Sequence, residues 1–126
     1  MNVVDSCGWL EYFANESNAD FFAPAITDEV RLIVPTICMY EVFKRICVQR
    51  GKEAALQATG MLYRGSLVEL SAEIALDAAQ LSLELALPLA DSVILATARA
   101  HHATLWTQDD HFKDLPGVKY VEKKQT

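Results

Sequence analysis

The chain has no apolar run approaching the ~20 residues that a membrane-crossing helix requires. Its first residues, MNVVDSCGW, show no basic segment followed by an apolar stretch and a small-residue cleavage site. Neither a membrane span nor a secretory signal is therefore expected. Basic charge is also short: 11 Lys and Arg stand against 17 Asp and Glu, a formal net charge of −6. That balance argues against a protein that grips nucleic acid chiefly through a basic surface. It favours attraction to a basic partner, and it permits a nuclease whose acids bind cations that in turn meet phosphate. Cysteine is scarce. Cys7, Cys38 and Cys47 are odd in number and lack metal-ligand spacing. Cys38 and Cys47 fall on one expected helix, where a rise of about 1.5 Å per residue separates them by about 13 Å, beyond disulfide reach. Reduced thiols in a cytoplasmic protein fit that pattern. Repeats, low-complexity tracts and linkers are absent as well.

What is present is a core. Apolar residues make up 52% of 126 positions, enough to exclude a disordered chain, and the length predicts one unit spanning residues 1–126. Met1 to Val4 reads as a short buried strand, Ser6-Cys7-Gly8 as a turn, and Trp9 to Ala14 as the start of a helix. A second short helix is expected over Ala19 to Ala25 and a strand over Leu32 to Val34, ended by Pro35. Thr36 reads as the N-cap of a helix that runs to about Arg50 and stops at Gly51. Glu53 to Tyr63 reads as a helix and Ser66 to Leu70 as a strand. Ser71 is expected to cap the next helix, which Pro88 ends. Asp91 to His101 reads as the last helix, and strands are expected over Thr104 to Thr107 and Val118 to Val121. Short apolar strands alternating with longer helices predict an α/β domain with a parallel sheet covered on both faces. Sites in such sheets lie at the carboxyl ends of the strands.

Four acids stand at the edges of apolar runs. Asp5 closes MNVVD, Glu41 interrupts LIVPTICMYEVF, Asp91 lies between LALPLA and SVILATA, and Asp109 follows ATLWTQ. A carboxylate beside a core loses hydration and needs a partner or a cation. Taken singly, each has a structural reading. Asp5 and Asp91 suit helix starts. Asp109 suits an Asx-turn in TQDDHF, unless Asp110 is the capping residue. Glu41 suits an ion pair with Arg45 one helical turn on. If the four converge, their repulsion calls for a divalent ion. Trp9, Tyr12, Phe13 and Trp106 read as core aromatics.

Four segments in order, VVDSCGWLEYF, PTICMYEVFKR, LPLADSVILATAR and TLWTQDDHF, resemble the acidic motifs of PIN-domain proteins, in particular the VapC-type toxins of prokaryotic toxin–antitoxin pairs. The resemblance spans nearly the whole chain. It implies a three-layer α/β/α sandwich around a central parallel sheet, and an endoribonuclease that uses Mg²⁺, or alternatively Mn²⁺. Carried over by position, Asp5, Glu41, Asp91 and Asp109 form the catalytic quartet. Asp5, Asp91 and Asp109 are the metal ligands, with Ser6 and Thr107 as supporting hydroxyls. Oxygen donors suit these hard cations. Glu41 would orient or deprotonate the attacking water, leaving 5′-phosphate and 3′-hydroxyl ends. The resemblance also implies an RNA substrate, a small cognate antitoxin, a homodimer and a cytoplasmic location. Lys44, Arg45, Arg50 and Arg99 are candidate contacts to the RNA backbone.

Cys7 departs from the small polar residue usual at its position, and His111 reads either as an RNA contact or as a solvated turn residue. The competing readings are a non-catalytic PIN-like interaction module and a housekeeping RNA-processing nuclease. Phosphoacceptor receiver domains and Asp-x-Asp phosphatases fit poorly, because Asp5 is followed by Ser6-Cys7.

Overall fold

Asn2–Val4 (β1), Leu32–Pro35 (β2), Ser66–Val68 (β3), Thr104–Thr107 (β4) and Val118–Tyr120 (β5) form a single sheet in the order β3-β2-β1-β4-β5. A computed structural model of the chain describes these and the other residues from 1 to 124; the last two residues of the expected unit lie outside it. Every strand pairing is parallel, with Val3 opposite Ile33 on one side and Leu105 on the other. Among the described residues six helices connect or flank the strands: α1 (Ser6–Phe13), α2 (Ala19–Thr27), α3 (Thr36–Arg50), α4 (Lys52–Leu62), α5 (Ala72–Leu85) and α6 (Leu89–Ala100). Short 3₁₀ turns occupy Glu29–Arg31 and Asp110–Phe112.

Alternation along the strands builds two cores, because successive side chains leave a strand on opposite faces. Val4, Leu32 and Val34 pack with Trp9, Phe22 and Val42 under α1 to α4. Val3, Ile33 and Leu105 pack with Ile94, Leu95 and Phe112 on the opposite face, against α6. Each fully buried aliphatic side chain of this kind contributes roughly 1.5–3 kcal/mol. The expected α/β/α layering is what the chain adopts. Among the described residues no single helix is long and apolar enough to cross a membrane.

Two helix caps differ from expectation, and α6 begins at Leu89, two residues before Asp91. Ser6-Cys7-Gly8 is not a turn but the first turn of α1, because Asp5 is extended (φ −61°, ψ 154°) and its side chain accepts from the Ser6 N–H. Gly8 lies inside that helix for a steric reason: a Cβ there would come within 2.6 Å of the Phe22 ring and 2.8 Å of Val4 Cγ1. Nor is Thr36 the cap of α3. Pro35 takes that position without a side-chain hydrogen bond, and Thr36 is the first helical residue. Ser71 caps α5 as expected, accepting from the Ile74 N–H at 3.1 Å, and Gly51 ends α3 at φ +92°.

Candidate metal centre

The strand order places β1 and β4 side by side at the point where the chain reverses its direction of winding across the sheet. In open α/β sheets this is where a crevice forms at the carboxyl ends of the strands. Asp5 follows β1 directly, and its N–H donates to the Trp106 carbonyl of β4 at 3.0 Å. Asp5 Oδ1 accepts from the Ser6 N–H at 2.8 Å. Its Oδ2 accepts from the Thr107 hydroxyl at 2.8 Å and from the Cys7 thiol at 3.2 Å. The same Thr107 oxygen accepts from the Asp109 N–H at 2.9 Å, so one hydroxyl ties the first acid to the backbone of the fourth.

Asp5 is 3% exposed. Burial pushes its carboxyl up to about 6, overcoming the Thr107 and Cys7 hydrogen bonds, and the charges of Asp91 and Asp109 add to the rise. Burial, with the Asp5 charge behind it, also raises the Cys7 thiol far above its usual range. Cys7 is therefore a protonated donor rather than a reactive thiolate.

The other acids arrive from different elements. Asp91 stands in the first turn of α6, where the helix N-terminus favours an anion. Asp109 caps the 3₁₀ turn after β4, its side chain accepting from the His111 N–H. Glu41 stands in the second turn of α3, and its Oε1 accepts from the Ser6 hydroxyl at 2.7 Å. All four acids line one cleft of about 510 Å³, together with Ser6, Cys7, Arg45 and Lys123. Acids as far apart in the chain as Asp5 and Asp109 thus line the same cleft.

Three local alternatives are resolved. Glu41 does not pair with Arg45; among the described residues its hydrogen bond is to Ser6, and Arg45 forms part of the cleft wall. Asp109, not Asp110, is the capping residue. His111 is on the turn and half exposed but not free: its Nδ1 lies 2.8 Å from Asp91 Oδ2 and 3.3 Å from Asp109 Oδ1. The Asp91 hydrogen bond holds the imidazole pKa above its ordinary value, with Asp109 adding to the effect. For Asp91 itself, burial outweighs the His111 hydrogen bond and the carboxyl is raised.

A supporting network lies outside the four motifs. Glu11 is buried on α1 and accepts from the Asn18 N–H at 2.8 Å and from Gln108 Nε2 at 3.1 Å. Asn18 Nδ2 in turn donates to Gln108 Oε1 and to the Glu122 carbonyl. This network holds the segment between Thr107 and Asp109. The sequence did carry a signal for it, since Glu11 sits among aromatics in GWLEYF by the same criterion that singled out the other acids.

The donor set fits a divalent cation. The hydrogen bonds to Asp5 come from neutral groups, Asp91 and Asp109 share one imidazole, and one oxygen or nitrogen from each of Asp91, Asp109 and His111 can be chosen so that all lie within 4.8 Å of one another. Carboxylate oxygens so crowded and partly dehydrated are matched by a hard dication. A family profile of the PIN domain matches residues 3–118. The chain belongs to the PIN-domain family.

Solved structures place this PIN domain among close folds at low identity. A toxin–antitoxin complex from Klebsiella pneumoniae contains a chain 22% identical, with a TM-score of 0.81 over 94% of this chain and 96% of that one. VapBC2 from Rickettsia felis, bound to a promoter DNA fragment, aligns at 18% identity and TM-score 0.72 over 96% and 97%. VapC20 of Mycobacterium tuberculosis, a toxin that cleaves the sarcin–ricin loop, aligns at 13% identity and TM-score 0.73 over 89% and 92%. A comparison with curated protein sequences gives no match.

Proposed function

We propose that this PIN domain is a divalent-metal-dependent endoribonuclease that acts as the toxin of a type II toxin–antitoxin pair. The observation that carries the reading is the meeting of Asp5, Glu41, Asp91 and Asp109 in one cleft at the carboxyl ends of β1 and β4. Its place as a toxin is supported by the Klebsiella and Rickettsia structures, toxin–antitoxin assemblies whose chains align with this one over nearly their full length. RNA as substrate is supported by the loop-cleaving activity of the Mycobacterium relative.

Asp5, Asp91 and Asp109 would hold Mg²⁺ or Mn²⁺. When bound, that ion supplies positive charge to the phosphoryl oxygens of the scissile bond. Thr107 keeps Asp5 and the Asp109 backbone in register, and Ser6 aims Glu41 into the cleft. Glu41 orients the attacking water and takes its proton. Attack in line with the leaving O3′, which takes its proton from a water molecule, gives 5′-phosphate and 3′-hydroxyl ends. Arg45, the one lining residue among the four basic candidates, and Lys123, which no motif singled out, stand on the cleft wall. There they can meet backbone phosphates.

The acidic cleft also suits a Lys or Arg side chain from a small antitoxin, for electrostatic reasons. A homodimer in the cytoplasm completes the proposal.

The test is cleavage of a mixed RNA substrate by metal-stripped protein. Cleavage is expected with Mg²⁺ or Mn²⁺, with 5′-phosphate ends on the products, and none in EDTA. Undiminished cleavage in EDTA would refute the metal-dependent reading.

A further inference from the structure

His111 occupies a position that the four-acid account does not use. It stands on the 3₁₀ turn capped by Asp109, whose Oδ1 accepts from the His111 backbone N–H at 3.0 Å. That bond fixes the start of the turn and directs the imidazole back towards α6. Nδ1 then lies 2.8 Å from Asp91 Oδ2 and 3.3 Å from Asp109 Oδ1. In an octahedral complex with metal–ligand distances of about 2.1 Å, neighbouring donors stand about 3 Å apart. The two separations from Nδ1 bracket that value. The side chain is 52% exposed, so packing does not dictate this pose. The chain's other two histidines, His101 and His102, follow the far end of α6, about 15 Å of helix away from Asp91.

We propose that His111 is a nitrogen ligand of the ion held by Asp91 and Asp109, and that it biases the centre towards Mn²⁺ over Mg²⁺. The inference rests on the metal-centre reading above and adds to it a ligand and a selectivity. Mg²⁺ is bound almost wholly through oxygen and keeps its waters, whereas Mn²⁺, the first member of the divalent transition series in which nitrogen donors gain affinity, accepts an imidazole more readily. A set of two carboxylates and one imidazole on adjoining positions therefore discriminates where carboxylates alone would not. Nδ1 is the ring nitrogen that faces both carboxylates, and an ion bound there would displace its proton and take its lone pair. The ligand needs no rearrangement of the backbone.

The experiment uses the full chain, stripped of metal and free of RNA. Mn²⁺ and Mg²⁺ are titrated by calorimetry into wild type, His111→Ala, His111→Gln and Asp91→Asn, and the Mn²⁺ complexes are examined by pulsed EPR for coupling to ¹⁴N. Wild type is expected to show nitrogen coupling, and both His111 variants to lose it. Their Mn²⁺ affinity should fall about tenfold or more, while Mg²⁺ affinity changes less than about threefold. Because His111 is exposed, circular dichroism of both variants should match wild type. Mn²⁺ bound without nitrogen coupling in wild type, coupling retained in His111→Ala, or equal losses for the two metals would overturn the inference and leave the carboxylate centre standing. A wild type that binds neither metal would overturn the metal-centre reading as well.

Discussion

Asp91→Asn is expected to lower RNA cleavage by a factor on the order of 10³ while leaving the fold intact. The substitution preserves shape. The new amide would keep an oxygen facing His111 Nδ1, which lies 2.8 Å from the native carboxylate. It would remain in the first turn of α6, where the loss of a favourable anion costs about 0.3–1 kcal/mol. What it removes is a negative charge that burial makes costly, that the His111 hydrogen bond offsets only in part, and that a cation at the centre would stabilise. Activity and stability should therefore separate, with cleavage collapsing and the melting temperature nearly unchanged. Single-turnover cleavage and thermal denaturation of the same preparations check this. A variant within about tenfold of wild type at saturating Mn²⁺ would show that Asp91 is not part of the reacting centre.

Asp5→Asn should stabilise the metal-free protein at neutral pH. The carboxyl sits near its ordinary value of 3.8 in the unfolded chain and is raised to about 6 in the folded one. Between those values the native state binds more protons than the unfolded state, so stability falls as pH rises through the window and stays low above it. The gap corresponds to about 3 kcal/mol. An amide removes the charge that causes the loss. It keeps one oxygen as an acceptor, but its NH₂ cannot accept from whichever of the three donors to Asp5, the Ser6 N–H or the Thr107 hydroxyl and Cys7 thiol, it comes to face, so the net gain at neutral pH is expected to be about 1–3 kcal/mol. Below the unfolded value the gain should vanish. Denaturant unfolding in EDTA under both conditions checks the prediction. A variant less stable than wild type by the same margin at neutral and at acid pH would mean that Asp5 carries no burial penalty. Added Mn²⁺ should stabilise wild type and not the variant, since only wild type offers the full ligand set. Holding Asp5 ready for an ion thus leaves a stability deficit at the site, as expected where function competes with folding.

The strands were legible because VV and LIV are apolar runs with no polar alternation, which in a chain of this length suits strands buried on both faces. The helices were legible from caps and stops such as Ser71 and Gly51, whereas Pro88, expected to end α5, instead precedes α6, and α5 stops at a left-handed Ala86. The first turn of α1 was not legible, because Ser6-Cys7-Gly8 has the composition of a turn, and the close approach of Phe22 that calls for glycine inside the helix is not a local signal. The acids announced themselves by standing where carboxylates lose water. Their convergence was a matter of topology: the Thr107 hydroxyl that fixes Asp5 is 102 residues away in the chain, and only the β3-β2-β1-β4-β5 order brings the two together. The same kind of separation hid the Glu11–Gln108 contact, whose partners are 97 residues apart. The pose of His111 depends on where α6 begins relative to the end of β4, which no local pattern around HF encodes.

The most direct measurement of the central claim is anomalous diffraction from crystals soaked in Mn²⁺. A single strong peak is expected within the cleft, bonded to carboxylate oxygens of Asp5, Asp91 and Asp109. A cleft without a peak at millimolar Mn²⁺, with the four acids still turned into it, would contradict the account.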